Sequence, residues 1–109
     1  MKKVNLQNRI KEITGKAWQP IDLIKANNQI IRLACFFGDY HWHKHPEGDE
    51  LFYVIQGKIT IDFKDQPSIE LHEGELTVIP KGLLHCPKSS MESYVLLFEP
   101  ETLKSEGEY

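Results

Sequence analysis

The stretch His41-Trp42-His43-Lys44-His45-Pro46-Glu47-Gly48-Asp49-Glu50 decides how this chain is read. Three histidines fall on alternate residues. In an extended strand, alternate side chains share a face, so this spacing can aim imidazoles into one cavity. Imidazole suits Zn, Cu, Fe and Ni. Pro46-Glu47-Gly48-Asp49 reads as a turn. A strand, a tight turn and a returning strand would bring Glu50 back beside the histidines. His85, after Pro80-Lys81-Gly82-Leu83-Leu84, can close such a site from another strand.

Working outward from this stretch, the chain reads as short strands separated by turns. Residues 29–37 (QIIRLACFF) are rich in β-branched and aromatic types, and Gly38-Asp39 breaks them. Residues 50–55 form a second strand, with a turn signal at Gln56-Gly57. Residues 58–64 alternate, with Ile59, Ile61 and Phe63 on one face. Further strands are expected at 69–72, 75–79, 83–86 and 92–98. Residues 17–24 read as a weak edge strand, because Pro20 cannot donate a ladder hydrogen bond. The exception to this pattern is residues 5–14, where Leu6, Ile10 and Ile13 recur at helical spacing. Asn5 can cap that helix at its start and Gly15 at its end. Many short strands at close spacing predict an all-β barrel or sandwich. The expected organisation is a helical segment at 1–16, a barrel at 17–100 and a flexible acidic tail at 101–109.

At this point the residues resemble the cupin superfamily in both of its motifs. The first pairs His-x-His with a Glu after four intervening residues and a Gly after six more, matched by His43, His45, Glu50 and Gly57. The second is a Gly, five residues, Pro-x-Gly, two residues and a His, matched by Gly74, Pro80, Gly82 and His85. There are two departures. Gly38 leaves four residues before His43 where the family usually has five, and Ser89 stands where the second motif often has Asn. Neither position is a metal ligand in the family.

The resemblance implies a small jelly-roll-like cupin barrel that binds one divalent metal ion (Fe, Mn, Ni, Co or Zn) through His43, His45, Glu50 and His85. With six-coordinate Fe, Mn, Ni or Co, two positions would stay open for water or substrate. With four-coordinate Zn the site would be closed and structural.

Other residues receive plainer readings. His41 shares the parity of the ligands and is read as a rim or core residue in preference to a substrate contact. His72, beside Glu73-Gly74, is read as solvated. Glu47 and Asp49 belong to the turn, with a lesser place for Asp49 as a polar neighbour of the site. Trp42, Phe36, Phe52 and Tyr53 are pocket candidates, and Phe52 and Val54 share the parity of Glu50. Leu96 and Phe98 are read as core. Cys35 is read as a small buried hydrophobe, and Cys86 as pointing away from the face that His85 occupies.

The composition fits one soluble domain of 109 residues, 40% hydrophobic and 27% charged. A net charge of -3 with no cluster of Lys and Arg argues against nucleic acid. No apolar run approaches a membrane span or a secretory signal, and two widely spaced cysteines make no disulfide framework. A cytoplasmic protein is expected, working as a homodimer through its helix and edge strand. The expected partner is a small-molecule ligand or substrate inside the barrel. Two functions are expected: an open metal site acting on a small polar or carbonyl-containing molecule, dioxygenase- or isomerase-like, or a non-catalytic ligand-sensing barrel with a structural metal.

Overall fold

The computed structural model describes residues 1–108. Its one helix, α1 (Leu6–Ile13), starts where expected, with the Asn5 side chain accepting a hydrogen bond from the Asn8 N–H at 3.0 Å. It ends at Ile13, two residues before Gly15, whose φ is +77°. Ile10 and Ile13 bury themselves against Leu23, Leu33, Cys35 and Tyr94, so the helix packs on the outer face of the sheet. None of the described helices is long and apolar enough to cross a membrane.

Seven strands follow: β1 (Ile21–Ala26), β2 (Gln29–Asp39), β3 (Glu50–Gln56), β4 (Lys58–Phe63), β5 (Ile69–His72), β6 (Leu76–Ile79) and β7 (His85–Pro100). All pairings are antiparallel, in the order β1-β2-β7-β3-β6, with β4 joined to both β5 and β7. The fold is all-β, as expected. Ala26 pairs with Gln29 across a two-residue turn, in which Asn27 takes the left-handed conformation that such hairpins favour.

Three strand boundaries differ from expectation. β2 runs on through Gly38 and Asp39, with a register shift between Phe36 and Gly38 where a break was expected. The edge strand begins at Ile21, because Trp18 sits at φ +63° and breaks the extended run before Pro20. The strands expected at 83–86 and 92–98 are one strand, β7, which bends between Ser89 and Ser93. There the two serine hydroxyls stand 2.9 Å apart and donate to the Lys58 and Met91 carbonyls, satisfying backbone that the bulge frees. Before the bend β7 pairs with β4, and after it with β3, so one strand serves both halves of the barrel.

The barrel interior is packed by Phe52, Val54, Ile59, Ile61, Val95 and Leu97 with their neighbours. This reverses the expected parity of β7: Val95 and Leu97 are buried, whereas Leu96 and Phe98 are half-exposed on the outer face. Gly57, in the turn between β3 and β4, holds φ +99°, and a Cβ there would stand 2.3 Å from the Ser93 hydroxyl.

Candidate metal centre

Residues 40–45 do not form a regular strand, yet they are held extended from both sides. On one side Tyr40 donates to the Pro87 carbonyl at 3.0 Å, and His43 and His85 exchange both backbone hydrogen bonds at 2.9 Å. On the other side Lys44 and Glu108 pair as a short antiparallel bridge. This alternation turns the imidazoles of His43 and His45 inward. Glu50 follows as the first residue of β3. Asp49 accepts the Lys81 N–H at 2.8 Å, and the Gly82 N–H donates to the His45 carbonyl at 3.0 Å. These bonds fix the Pro80–Gly82 bend, with Gly82 at φ +80°, so that the chain enters β7 with His85 facing in. Asp49 is thus an exposed turn residue that holds backbone, the first of its two expected roles.

The ligand atoms of His43, His45, Glu50 and His85 all lie within 4.8 Å of one another. Glu50 Oε1 stands 3.3 Å from His45 Nε2 and 3.9 Å from His85 Nε2. No residue of the four is more than 4% exposed. His43 Nδ1–H donates to the His41 carbonyl at 2.9 Å, and His85 Nδ1–H to the Leu83 carbonyl at 2.8 Å. A carbonyl can only accept, so Nδ1 carries the proton and each Nε2 presents its lone pair to the cluster. Burial pushes His43 down to about 3 and His85 to about 4, and lowers His45 as well, keeping all three rings neutral near pH 7. His45 Nε2, His85 Nε2 and Glu50 Oε1 are buried and have no hydrogen-bond partner. Orphaned polar atoms converging at this depth are costly unless something binds them. The donor set of three imidazoles and one carboxylate fits a divalent transition-metal ion.

The cluster borders a cavity of about 40 Å3 lined by Trp18, Phe36, Tyr40, Phe52 and Leu97 together with His43 and Glu50. That is room for about three waters, at roughly 10–15 Å3 for each. No Lys or Arg is among its lining residues. Phe36 and Phe52 are where expected. Trp42 instead packs under the Lys64 ammonium, 4.0 Å from its ring centre. Tyr53 is half-buried in register with Leu76 and Leu96, and Val54 belongs to the core. Trp18 and Tyr40, stacked with ring centres 4.7 Å apart, were not legible as pocket residues. The sharp turn at Trp18 that brings it there has no motif.

Two further parts of the site went unseen in the sequence. Glu99 is fully buried beside Glu50, one step beyond the paired Leu51 and Phe98 on β3 and β7, and burial raises both carboxyls. The segment after Pro100, expected as a tail, lies back over the ligands. Leu103 is 2% exposed, the Glu106 carbonyl is 2.9 Å from His41 Nε2, and a Cβ on Gly107 would stand 2.6 Å from His43 Cδ2. His41 is thus an exposed rim residue whose carbonyl orients a ligand. His72 is exposed and bonded to Glu70 at 2.7 Å.

Comparison with known families matches residues 38–98 to the cupin domain. The chain belongs to the cupin family. Among relatives of this cupin is protein YdbB of Bacillus subtilis, 41% identical over 75 residues, 69% of this chain and 66% of that protein. A crystal structure of a cupin-2 domain protein from Shewanella frigidimarina superposes with a TM-score of 0.84 at 33% identity, covering 90% of this chain and 94% of that one. A more distant relative is 3-hydroxyanthranilate 3,4-dioxygenase of Xenopus laevis, 25% identical over 94% of this cupin but only 38% of that enzyme. The chain thus spans just under two thirds of the first relative and well under half of the dioxygenase.

Proposed function

We propose that this cupin binds one divalent metal ion through His43, His45, Glu50 and His85, and uses it on a small molecule with an apolar body and oxygen donors. The observation that carries this reading is the set of orphaned, buried Nε2 and carboxylate atoms beside an aromatic cavity. When bound, the ion supplies Lewis-acid polarisation of an oxygen donor. The chain's own residues do the rest. The His41 and Leu83 carbonyls hold two imidazoles in the ligating tautomer. Glu50 supplies one negative charge, and Trp18, Phe36, Tyr40 and Phe52 exclude water around an apolar group. The absence of Lys and Arg from that lining disfavours phosphorylated substrates. Dioxygenase- or isomerase-like chemistry would suit such a centre, and the distant dioxygenase relative supports the first of these.

A second reading, ligand sensing around a structural metal, is favoured by one observation: the cavity holds only about three waters. Elemental analysis of the purified protein, beside a His43→Ala/His85→Ala variant, tests the centre. About one equivalent of Fe, Mn, Ni or Co lost in the variant is expected. Oxygen-uptake and isomerisation assays with small hydroxy-carbonyl compounds then separate turnover from sensing. No uptake of any of these ions or of Zn overturns the metal reading.

We also propose a homodimer in the cytoplasm. β1 pairs only with β2, so its other edge is unpaired among the described strands, and Leu76 and Val78 are exposed on β6 at the opposite edge. Free Cys35 and Cys86 fit a reducing compartment. Light scattering that gives the monomer mass at micromolar concentration would contradict the dimer.

A further inference from the structure

Glu50 and Glu99 are the two buried carboxylates among the described residues, and they lie next to each other on β3 and β7, one step beyond the paired Leu51 and Phe98, with Glu99 Oε1 buried and without a hydrogen-bond partner. Glu99 is itself tied down. Arg32 Nη1 donates to Glu99 Oε2 at 2.6 Å and to the Leu103 carbonyl at 2.8 Å, while Arg32 Nε donates to Asp22 Oδ1 at 2.9 Å. One guanidinium thus links β1, β7 and the segment beyond Pro100. An Arg–Glu pair at this depth is a poor way to stabilise a fold. Well-packed apolar side chains of similar volume usually do as well or better. The pair does, however, place a rigidly held carboxyl against Glu50.

We propose that Glu99, anchored by Arg32, is the positioning residue for Glu50 in the metal centre. The inference rests on the metal reading above. Glu50 reaches toward His45 and His85 with Oε1, and a carboxylate at the end of a flexible side chain ligates well only when its plane is fixed. Glu99 fixes it from β7, and the Arg32 fork keeps Glu99 from swinging away. An amide at position 99 would keep this geometry, since it can accept from Arg32 and donate to Glu50. A shortened or apolar side chain would not.

The test is Co2+ titration with chelator competition, read together with the visible absorption of bound Co2+, whose band shape reports the ligand field. The wild type is compared with Glu99→Gln, Glu99→Asp and Arg32→Met/Glu99→Leu. The double variant removes both buried partners together, which preserves folding better than removing one. Circular dichroism checks each fold. Glu99→Gln is expected to bind Co2+ within about threefold of wild type. Glu99→Asp and the double variant are expected to bind about 10- to 100-fold more weakly, with altered absorption bands. Wild-type affinity and bands in folded Glu99→Asp or in the folded double variant would overturn the inference. Absence of Co2+ uptake by the wild type would overturn the metal reading itself, and this inference with it.

Discussion

His43 and His85 stand as a backbone pair, each donating its N–H to the carbonyl of the other at 2.9 Å. They are 42 positions apart in the chain, yet the register of one fixes the register of the other. Their rings lie with centres 4.4 Å apart. The ligand set is therefore preassembled by main-chain bonds before any ion arrives, and the predictions below follow from that rigidity.

Metal addition should stabilise the protein by mass action. At a free ion concentration of 100 times Kd, the gain is about 2.7 kcal/mol, or roughly 10–20 °C in Tm for a domain of this size. His85→Ala removes a ligand at the paired position, so the shift should vanish. Thermal melts of both proteins with and without Co2+ or Mn2+ check this. An equal shift in His85→Ala would contradict ligation by that residue.

Gly57→Ala should be costly. The left-handed backbone and the approach to Ser93 act together, at about 3 kcal/mol in all. Gly74 also has positive φ, at +85°, but nothing lies within 4 Å of a Cβ there. Gly74→Ala should lose only about 1 kcal/mol. Urea unfolding of the two variants measures the difference. Equal losses would mean that the Ser93 contact relaxes freely.

The pH dependence of the metal-free protein follows from its buried groups. His43 and His85 have folded values below the ordinary 6.5, so the unfolded chain takes up the extra protons and stability falls as pH drops below 6.5. Glu50 and Glu99 are raised above 4.5, so the folded state holds the extra protons and stability falls as pH rises above 4.5. The two effects oppose each other between these values. Below 4.5 only the imidazole loss remains, and above 6.5 only the carboxyl loss. Chelator-treated protein should therefore melt highest in mild acid, and an added divalent ion should move the optimum upward by offsetting the charge on Glu50. Tm measured from pH ~4 to ~9 checks the sign. A metal-free profile that climbs steadily into alkali would refute it.

Much of the centre was legible because its residues obey local rules. Alternation at 41, 43 and 45, a turn before Glu50, and Pro80 and Gly82 before His85 are short-range signals. The family resemblance added the ligand roles. Glu99 escaped because the run Tyr94–Phe98 is apolar on both faces. No alternation in the sequence says which set points in, and choosing Leu96 and Phe98 put Glu99 outside. The bend between Ser89 and Ser93 escaped for a related reason, since serines bonding backbone read as a turn when they in fact carry a strand through. The segment after Pro100 is polar and short of apolar anchors, and the burial of Leu103 alone does not announce itself in sequence.

Gly107→Val should lift that segment, because a side chain there meets His43 and the Lys44 carbonyl. Amide exchange at Lys44 and Glu108 is expected to speed up while exchange in β2 and β7 stays unchanged. Hydrogen exchange with mass spectrometry reads this directly. Unchanged rates at Lys44 would contradict the packing.

The folded-over segment also bears on time as well as affinity. An ion seated among His43, His45, Glu50 and His85 has Gly107 and its neighbours across the exit beside two of its ligands. Where it leaves on that side, it does so only as often as residues 103–108 swing clear. Its residence would then be set by the opening frequency of a few backbone hydrogen bonds and one buried leucine, not by the strength of the coordination bonds. Such a protein would surrender its metal to a chelator slowly and at a rate independent of the chelator's concentration.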